Sequence, residues 1–175
     1  MRARLFVAAF GVQALVLIGW AAGLELQLAR ADRIRLEVVQ RDPRDLLRGD
    51  YVVLQYAIDQ ISVDIVAGGR PEYGERLWVL LEPKDGLHVV VAASRAPVTP
   101  SPEQRLIVGE VRSFVAVAAG GARTSGVHVD YGIQRYYVPE GRGILPRGKV
   151  EAEVALPSSG RALLTRLFVD GRPYP

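Results

Sequence analysis

Residues 34–38 read Ile34-Arg35-Leu36-Glu37-Val38, in which apolar and charged side chains alternate strictly. Successive side chains of a β-strand point to opposite faces, so this pattern predicts a strand with one face buried and the other in water. Eight further segments rich in Val, Ile, Leu and Tyr follow, separated by clusters of Gly, Pro, Ser and Asp that are typical of turns. These predicted strands are residues 51–58, 61–66, 77–81, 87–93, 106–117, 127–138, 150–156 and 162–169.

The body of the chain is therefore predicted to be mostly β. Nine strand candidates without a ten-residue amphipathic helix among them favour an antiparallel β-sandwich or barrel over residues 33–175. Residues 95–105 carry three prolines and predict an exposed loop between two strands. Within residues 51–58, alternation places Tyr51, Val53 and Gln55 on one face. It places Val52, Leu54 and Tyr56 on the other, and we expect this strand in the interior of the domain.

Upstream of the β region, residues 5–24 contain no charged side chain. Twenty residues at ~1.5 Å each give a helix about 30 Å long, which matches the hydrocarbon thickness of a bilayer. This favours a transmembrane anchor, with Trp20 near its far end, after a basic segment of residues 1–4 and before a linker of residues 25–32. A cleaved signal peptide and a buried helix of a soluble fold are the alternatives.

The orientation of the anchor is inferred from the charges around it. Arg2 and Arg4 favour a cytoplasmic N-terminus, but five arginines between residues 30 and 44 oppose this by simple counting. Long translocated domains weaken that rule. We therefore expect a single-pass protein of the inner cell membrane whose β-domain is extracytoplasmic.

The composition excludes several classes of function. There is no Cys, so disulfides, thiolate metal sites and Cys nucleophiles are absent. Residues 25–175 carry 20 basic and 19 acidic side chains, too even a balance to predict nucleic-acid binding. The pair His128 and Asp130 lacks the further ligands that a metal needs, so His88 and His128 are expected to be solvent-facing strand residues. The residues thus predict no metal and no cofactor.

The segment between the first two predicted strands is unusually charged. Asp42 can cap a short helical turn, Pro43 suits its first position and Gly49 can end it. The segment is therefore a well-built turn, or a surface that binds an ion, a polar group or a partner. Its candidate binding residues are Asp42, Arg44, Asp45, Arg48, Asp50, Tyr51 and Tyr56.

A second group of candidate residues ends a later strand. It comprises Arg135, Tyr136, Tyr137 and Glu140. Complementary charge suggests that Arg135 pairs with Asp45 or Asp50, which would place the two segments side by side. Either this is a structural ion pair with packed tyrosines, or the same groups form a ligand pocket.

Three segments in order resemble the bacterial GDYXXLXY family. Residues 49–56 fit the pattern G-D-Y-x-x-L-x-Y, residues 42–48 fit the lead-in to it, and residues 131–143 resemble the later Y-G-I-x-R-Y-F-V-P-E-G segment, with Tyr137 in place of the usual Phe. The resemblance covers essentially the whole chain. It implies a small membrane-anchored protein, often encoded beside a polytopic membrane protein, and it implies no particular activity.

We therefore expect a non-enzymatic accessory protein, held in the lipid bilayer by residues 5–24, whose β-domain binds a polytopic membrane protein. A membrane-tethered sensor for a small ligand or ion is the alternative. A signal-peptidase-like hydrolase does not fit, because Gln40 stands where that mechanism needs a serine box, and neither Lys84 nor Lys149 has a matching context.

Overall fold

The computed structural model describes residues 2–39, 51–119, 122–137, 148–157 and 160–174, with backbone alone for 2–9, 51, 52, 119, 122 and 137. The chain divides into two compact units, Met1–Ala31 and Asp32–Pro175. Strand residues outnumber helical ones, 53% to 19%, which confirms the prediction of a mostly-β fold preceded by one apolar helix.

The first unit is a single helix, α1 (Arg2–Ala29). Within the described chain, it is the one helix long and apolar enough to cross a membrane, over the 20 residues Phe10–Ala29. None of that stretch is buried by the protein itself. The helix continues beyond the predicted boundary at residue 24, because residues 25–29 are Glu, Leu, Gln, Leu and Ala, which favour helix. Most of the segment predicted as a linker is therefore helical.

In the part of the chain that the structure describes, the second unit contains twelve strands in three sheets. The first sheet has the order β1 (Asp32–Val38), β10 (Val150–Leu156), β11 (Leu163–Val169) and β12 (Arg172–Tyr174). The second pairs β2 (Tyr51–Val53) with β9 (Arg135–Tyr137). The third has the order β3 (Gln60–Ser62), β8 (Ala122–Asp130), β7 (Arg105–Ala119), β5 (Arg76–Lys84), β6 (Leu87–Ser94) and β4 (Val66–Ala67). All neighbours are antiparallel except β4 and β6, and the curled sheets form a half-barrel or sandwich.

The core follows the alternation seen in the sequence. Ile34, Leu36 and Val38 of β1 are buried, while the residues between them are exposed. On the outer face, Arg33 and Arg35 form ion pairs with Glu153 and Glu151 of β10, each of which lies diagonally across, two residues from the position opposite its arginine. Leu77, Val79 and Leu81 of β5 are fully buried in the third sheet in the same way. The period-two pattern therefore identified the inward faces correctly.

Three predicted strands are interrupted, each by a local hydrogen bond. Residues 51–58 give only β2 and an isolated bridge at Tyr56, followed by a 3-10 turn, Ala57–Asp59. Residues 61–66 contain a second 3-10 turn, Val63–Ile65, whose Asp64 amide donates to the Ser62 hydroxyl. Residues 127–138 break after β8. There Asp130 accepts from the Gly132 amide, and Gly132 takes a positive φ that favours glycine.

Candidate functional site

The two sequence motifs meet through their backbones. The antiparallel register sets Tyr51 opposite Tyr137 and Val53 opposite Arg135. The pairing continues beyond the strands, because the Leu54 amide donates to the Gln134 carbonyl at 2.7 Å. The predicted adjacency concerned residues 42–51 and 135–140, of which the structure describes Tyr51 and residues 135–137. It pairs the backbone of Tyr51 with that of Tyr137, and the adjacency of residues 42–50 stays a prediction. We call the contact between residues 51–58 and residues 131–137 the motif clasp.

Two buried tyrosines, one from each motif, form hydrogen bonds across the motif clasp. The Tyr56 hydroxyl donates to the Ile133 carbonyl at 2.7 Å, and the Tyr131 hydroxyl donates to the Ile58 carbonyl at 2.9 Å. Both rings are buried, and burial, with the nearby charge of Asp59, raises the pKa of both phenols. Both therefore remain neutral hydrogen-bond donors in the folded domain. Each motif supplies the donor that satisfies a buried backbone carbonyl of the other.

The core face of the motif clasp is apolar. Leu54 is 1% exposed, so the prediction that it lies in the interior is confirmed. Tyr136 is half-buried and packs near Tyr174, with the ring centroids 6.5 Å apart. On the outer face, Val53 and Arg135 lie directly opposite each other, and both are exposed. Side chains of such a pair project from the same face of the ladder.

The other predicted binding residues lie partly or wholly outside the described chain. The structure describes only the backbones of Tyr51 and Tyr137. Asp42, Arg44, Asp45, Arg48, Asp50 and Glu140 lie outside the described residues. The suggested pairing of Arg135 with Asp45 or Asp50 therefore stays a prediction. Tyr56, by contrast, is described, and its hydroxyl is engaged inside the domain.

Asp59, which the sequence analysis did not select, is the most unusual side chain of this region. It is the buried acidic residue of the described chain, with only 2% of its surface exposed. Its Oδ2 accepts from the Tyr56 amide at 2.8 Å, whereas Oδ1 has no hydrogen-bond partner among the described residues. Burial, and to a smaller degree the nearby charge of Asp130, raises its pKa to about 7, against the lowering effect of the Tyr56 amide. The carboxyl therefore titrates near neutral pH.

Asp59 forms part of the wall of a cleft of about 510 Å³. Gln60 of β3, His128 of β8 and Ser113 of β7 are register partners across three adjacent strands, so their side chains project from one face of the sheet. Gln55 and Val39 line the cleft beside this polar row. Of the described residues that line the cleft, Asp59 is the one Asp, Glu, Lys or Arg. The cleft is thus polar, with an acidic group in its wall.

The two histidines are less exposed than expected. His88 and His128 are both half-buried. Burial, together with the charge of Arg105, lowers the pKa of His88. Both histidines are therefore less exposed to solvent than the sequence predicted. In the described part of the chain, no three His, Asp or Glu residues are grouped so as to hold a metal ion.

Comparisons with known proteins agree with the motifs. Neither the curated proteins nor the solved structures include a match to this chain. A family model described as "GDYXXLXY protein" matches residues 13–167, which include most of α1 and nearly all of the β-domain. On this match, the chain belongs to the GDYXXLXY family.

Proposed function

We propose that the protein is a non-enzymatic, single-pass accessory protein of a bacterial inner membrane. Its β-domain, on the extracytoplasmic side, binds a polytopic membrane protein and assists that protein's function or assembly. The outer face of the motif clasp, with the charged turn at residues 42–50 that precedes it, is the proposed contact surface.

The exposed apolar surface of α1 supports the membrane part of this proposal. Phe10, Leu15 and Trp20 are each about two-thirds exposed or more, and they lie on different sides of the helix. A helix that is apolar all round needs an apolar surrounding, which lipid supplies. Arg2 and Arg4 before the helix favour a cytoplasmic N-terminus.

The observation that carries the partner-binding proposal is the pairing of Val53 with Arg135. Val53 is 45% exposed on a three-residue strand, next to an exposed guanidinium, at the meeting point of both motifs. Arginine is enriched where binding energy concentrates in protein interfaces, and an apolar neighbour supplies contact area. Leu54, which follows Val53 and is buried, attaches this outer pair to the core of the domain.

Affinity purification tests the partner. The tagged full-length chain is expected to recover one multi-span protein in stoichiometric amount from detergent-solubilised membranes. Arg135→Glu and Arg48→Glu should each lose this protein, while Arg123→Glu, at an exposed position on β8, should retain it. Val53→Ala, at a position that is 45% exposed, should weaken recovery with little effect on the fold. Equal recovery with all four variants would contradict the proposed surface.

The natural absence of cysteine allows a separate test of orientation. Glu103→Cys places a single thiol in the exposed loop between β6 and β7. In intact cells, a maleimide that cannot cross the inner membrane should label this variant. The matched control, Ala3→Cys, should react only after the membrane is permeabilised. The opposite pattern would place the domain in the cytoplasm.

The cleft beside Asp59 favours a second candidate function, a membrane-tethered sensor of a small ligand. Clefts of about 300–1,000 Å³ with a few convergent polar groups are typical of small-molecule sites. This cleft, at about 510 Å³, lies within that range. The sensor function and the accessory function can be tested separately, because the cleft and the outer face of the motif clasp consist of different side chains.

A further inference from the structure

We propose that the cleft beside Asp59 binds a small amino alcohol, a molecule that carries one ammonium group and one or more hydroxyl groups. This inference deepens the sensor candidate and does not depend on the partner proposed above. It rests on the polar row of Gln60, His128 and Ser113, and on the uncompensated carboxyl in the wall of the cleft.

The charge of the cleft selects the charge of its ligand. Among the described residues, the cleft is lined by Asp59 and by no Lys or Arg, so an anion would meet an acidic group without a described counter-charge. Asp130, two residues from His128 along β8, adds to the negative potential at Asp59, although Arg112 lies 3.6 Å from its carboxylate. The tyrosines nearest to Asp59, Tyr56 and Tyr131, are neutral. A cation is therefore the favoured occupant.

The orphaned carboxylate oxygen supplies the energetic reason. A buried carboxylate is costly unless it is protonated or compensated by donors or a positive charge. Oδ2 accepts from the Tyr56 amide, but Oδ1 has no hydrogen-bond partner among the described residues, and Asp59 is one of the residues that line the cleft. An ammonium in the cleft would compensate this charge at short range, where few water molecules screen the attraction.

The polar row accounts for the hydroxyl groups. Gln55 and Gln60 each offer an amide donor and acceptor, Ser113 offers a hydroxyl, and His128 offers ring nitrogens. These groups match hydroxyl groups, which both donate and accept. The flanking Val39 and Val115 give apolar contact for a carbon skeleton.

Glucosamine and glucose, which differ by an ammonium in place of a hydroxyl, are the matched probes. We expect glucosamine to raise the melting temperature of the full chain in detergent near neutral pH, where ammonium and carboxylate coexist, and glucose to bind at least about tenfold more weakly, as loss of a charged hydrogen-bonding partner predicts. Asp59→Asn should remove this difference, and Ser113→Ala, at an exposed position, should weaken binding of both sugars. Asp85→Asn, an exposed carboxylate in the turn between β5 and β6, is the control that should leave binding unchanged.

The same melting measurement in vesicles distinguishes two sources of the ligand. A rise of the melting temperature with glucosamine in detergent would identify a free amino alcohol as the ligand. A rise seen only in phosphatidylethanolamine vesicles, and not in phosphatidylcholine vesicles, assigns a lipid headgroup of the same chemistry. No rise in either setting, or an equal rise with glucose, would overturn the proposal. Recovery of the multi-span partner is measured separately, so failure of one proposal leaves the other intact.

Discussion

Replacing Asp59 with asparagine would isolate the pH dependence that this buried carboxyl gives to the fold. Burial raises its pKa from 3.8 to about 7. Between these values the folded protein keeps a proton that the unfolded chain releases, so the free energy of unfolding falls as the pH rises. The stabilising contribution of the protonated carboxyl is complete below pH 3.8 and lost above about pH 7.

The size of this effect follows from the same two values. The interval from 3.8 to about 7, at ~1.4 kcal/mol per pH unit, corresponds to about 4 kcal/mol. Asparagine keeps an oxygen that can accept from the Tyr56 amide, which lies 2.8 Å from the carboxylate in the native protein. It has no titrating proton. The free energy of unfolding of the variant should therefore not show the fall that Asp59 causes in the native protein. Relative to the native protein, the variant should become more stable as the pH rises.

Urea unfolding of the full chain in detergent, followed by the fluorescence of half-buried Trp78, measures the difference at a series of pH values from 4 to 8. Titrations common to both proteins cancel in that difference. Asp85→Asn, which changes an exposed carboxylate in the same way, should track the native protein throughout. A constant offset between Asp59→Asn and the native protein at every pH would refute the reasoning, because it would mean that Asp59 is already ionised across the range.

Four other perturbations test the fold and the anchor. Leu54→Ala should lower the free energy of unfolding by about 2–5 kcal/mol, while Val53→Ala, at an exposed site, should lower it by less than about 0.5 kcal/mol. Equal losses in urea titrations would contradict the assignment of Leu54 to the buried face and Val53 to the exposed face. Tyr131→Phe leaves a buried carbonyl without its donor and should cost about 1–3 kcal/mol, so an unchanged urea midpoint would argue against the hydrogen bond. Gly126→Ala places a Cβ against a valine of β7 and 2.8 Å from a β3 carbonyl oxygen. We expect a lower melting temperature, corresponding to a loss of about 1–3 kcal/mol in the free energy of unfolding. An unchanged melting temperature would mean that β3, β7 and β8 are farther apart than the structure shows. Carbonate washing should leave the intact chain in the membrane pellet, and its release would contradict a span at residues 5–24.

The sequence predicted the parts of the fold that depend on alternation. β1, β5, β6, β10 and β11 lie within a few residues of their predicted positions. In β1 and β5 the alternation is visible in the structure, because buried residues alternate there with exposed or half-buried ones. β12 was missed, although Asp170 and Gly171 both take positive φ in the turn that leads into it. An Asp-Gly pair is a strong hairpin signal. Pro173 argues against a central strand, and β12 is indeed at the edge of its sheet.

The sequence did not reveal Asp59, for a physical reason. Read as a continuous strand, residues 51–58 bury Leu54, Tyr56 and Ile58, and the next residue would point outward. The 3-10 turn at Ala57–Asp59 changes this direction and brings Asp59 inside. The turn is held by a hydrogen bond from the Tyr56 amide to the Asp59 side chain three residues later. An Asp at that spacing is common in exposed turns as well, so only the tertiary structure shows that this one is buried.

The structure also changes how the family pattern should be used in experiments. The last two fixed letters of G-D-Y-x-x-L-x-Y are Leu54 and Tyr56, and both are buried. Tyr56 bonds to the second motif, whose own Tyr131 bonds back to residue 58. These two positions of the pattern are therefore residues that hold the motif clasp together. A loss of function on substituting them is expected from unfolding alone and would not identify a binding surface. Substitutions at the exposed Val53 and Arg135 leave these buried tyrosine hydrogen bonds in place, so we expect them to separate recognition by the domain from its stability.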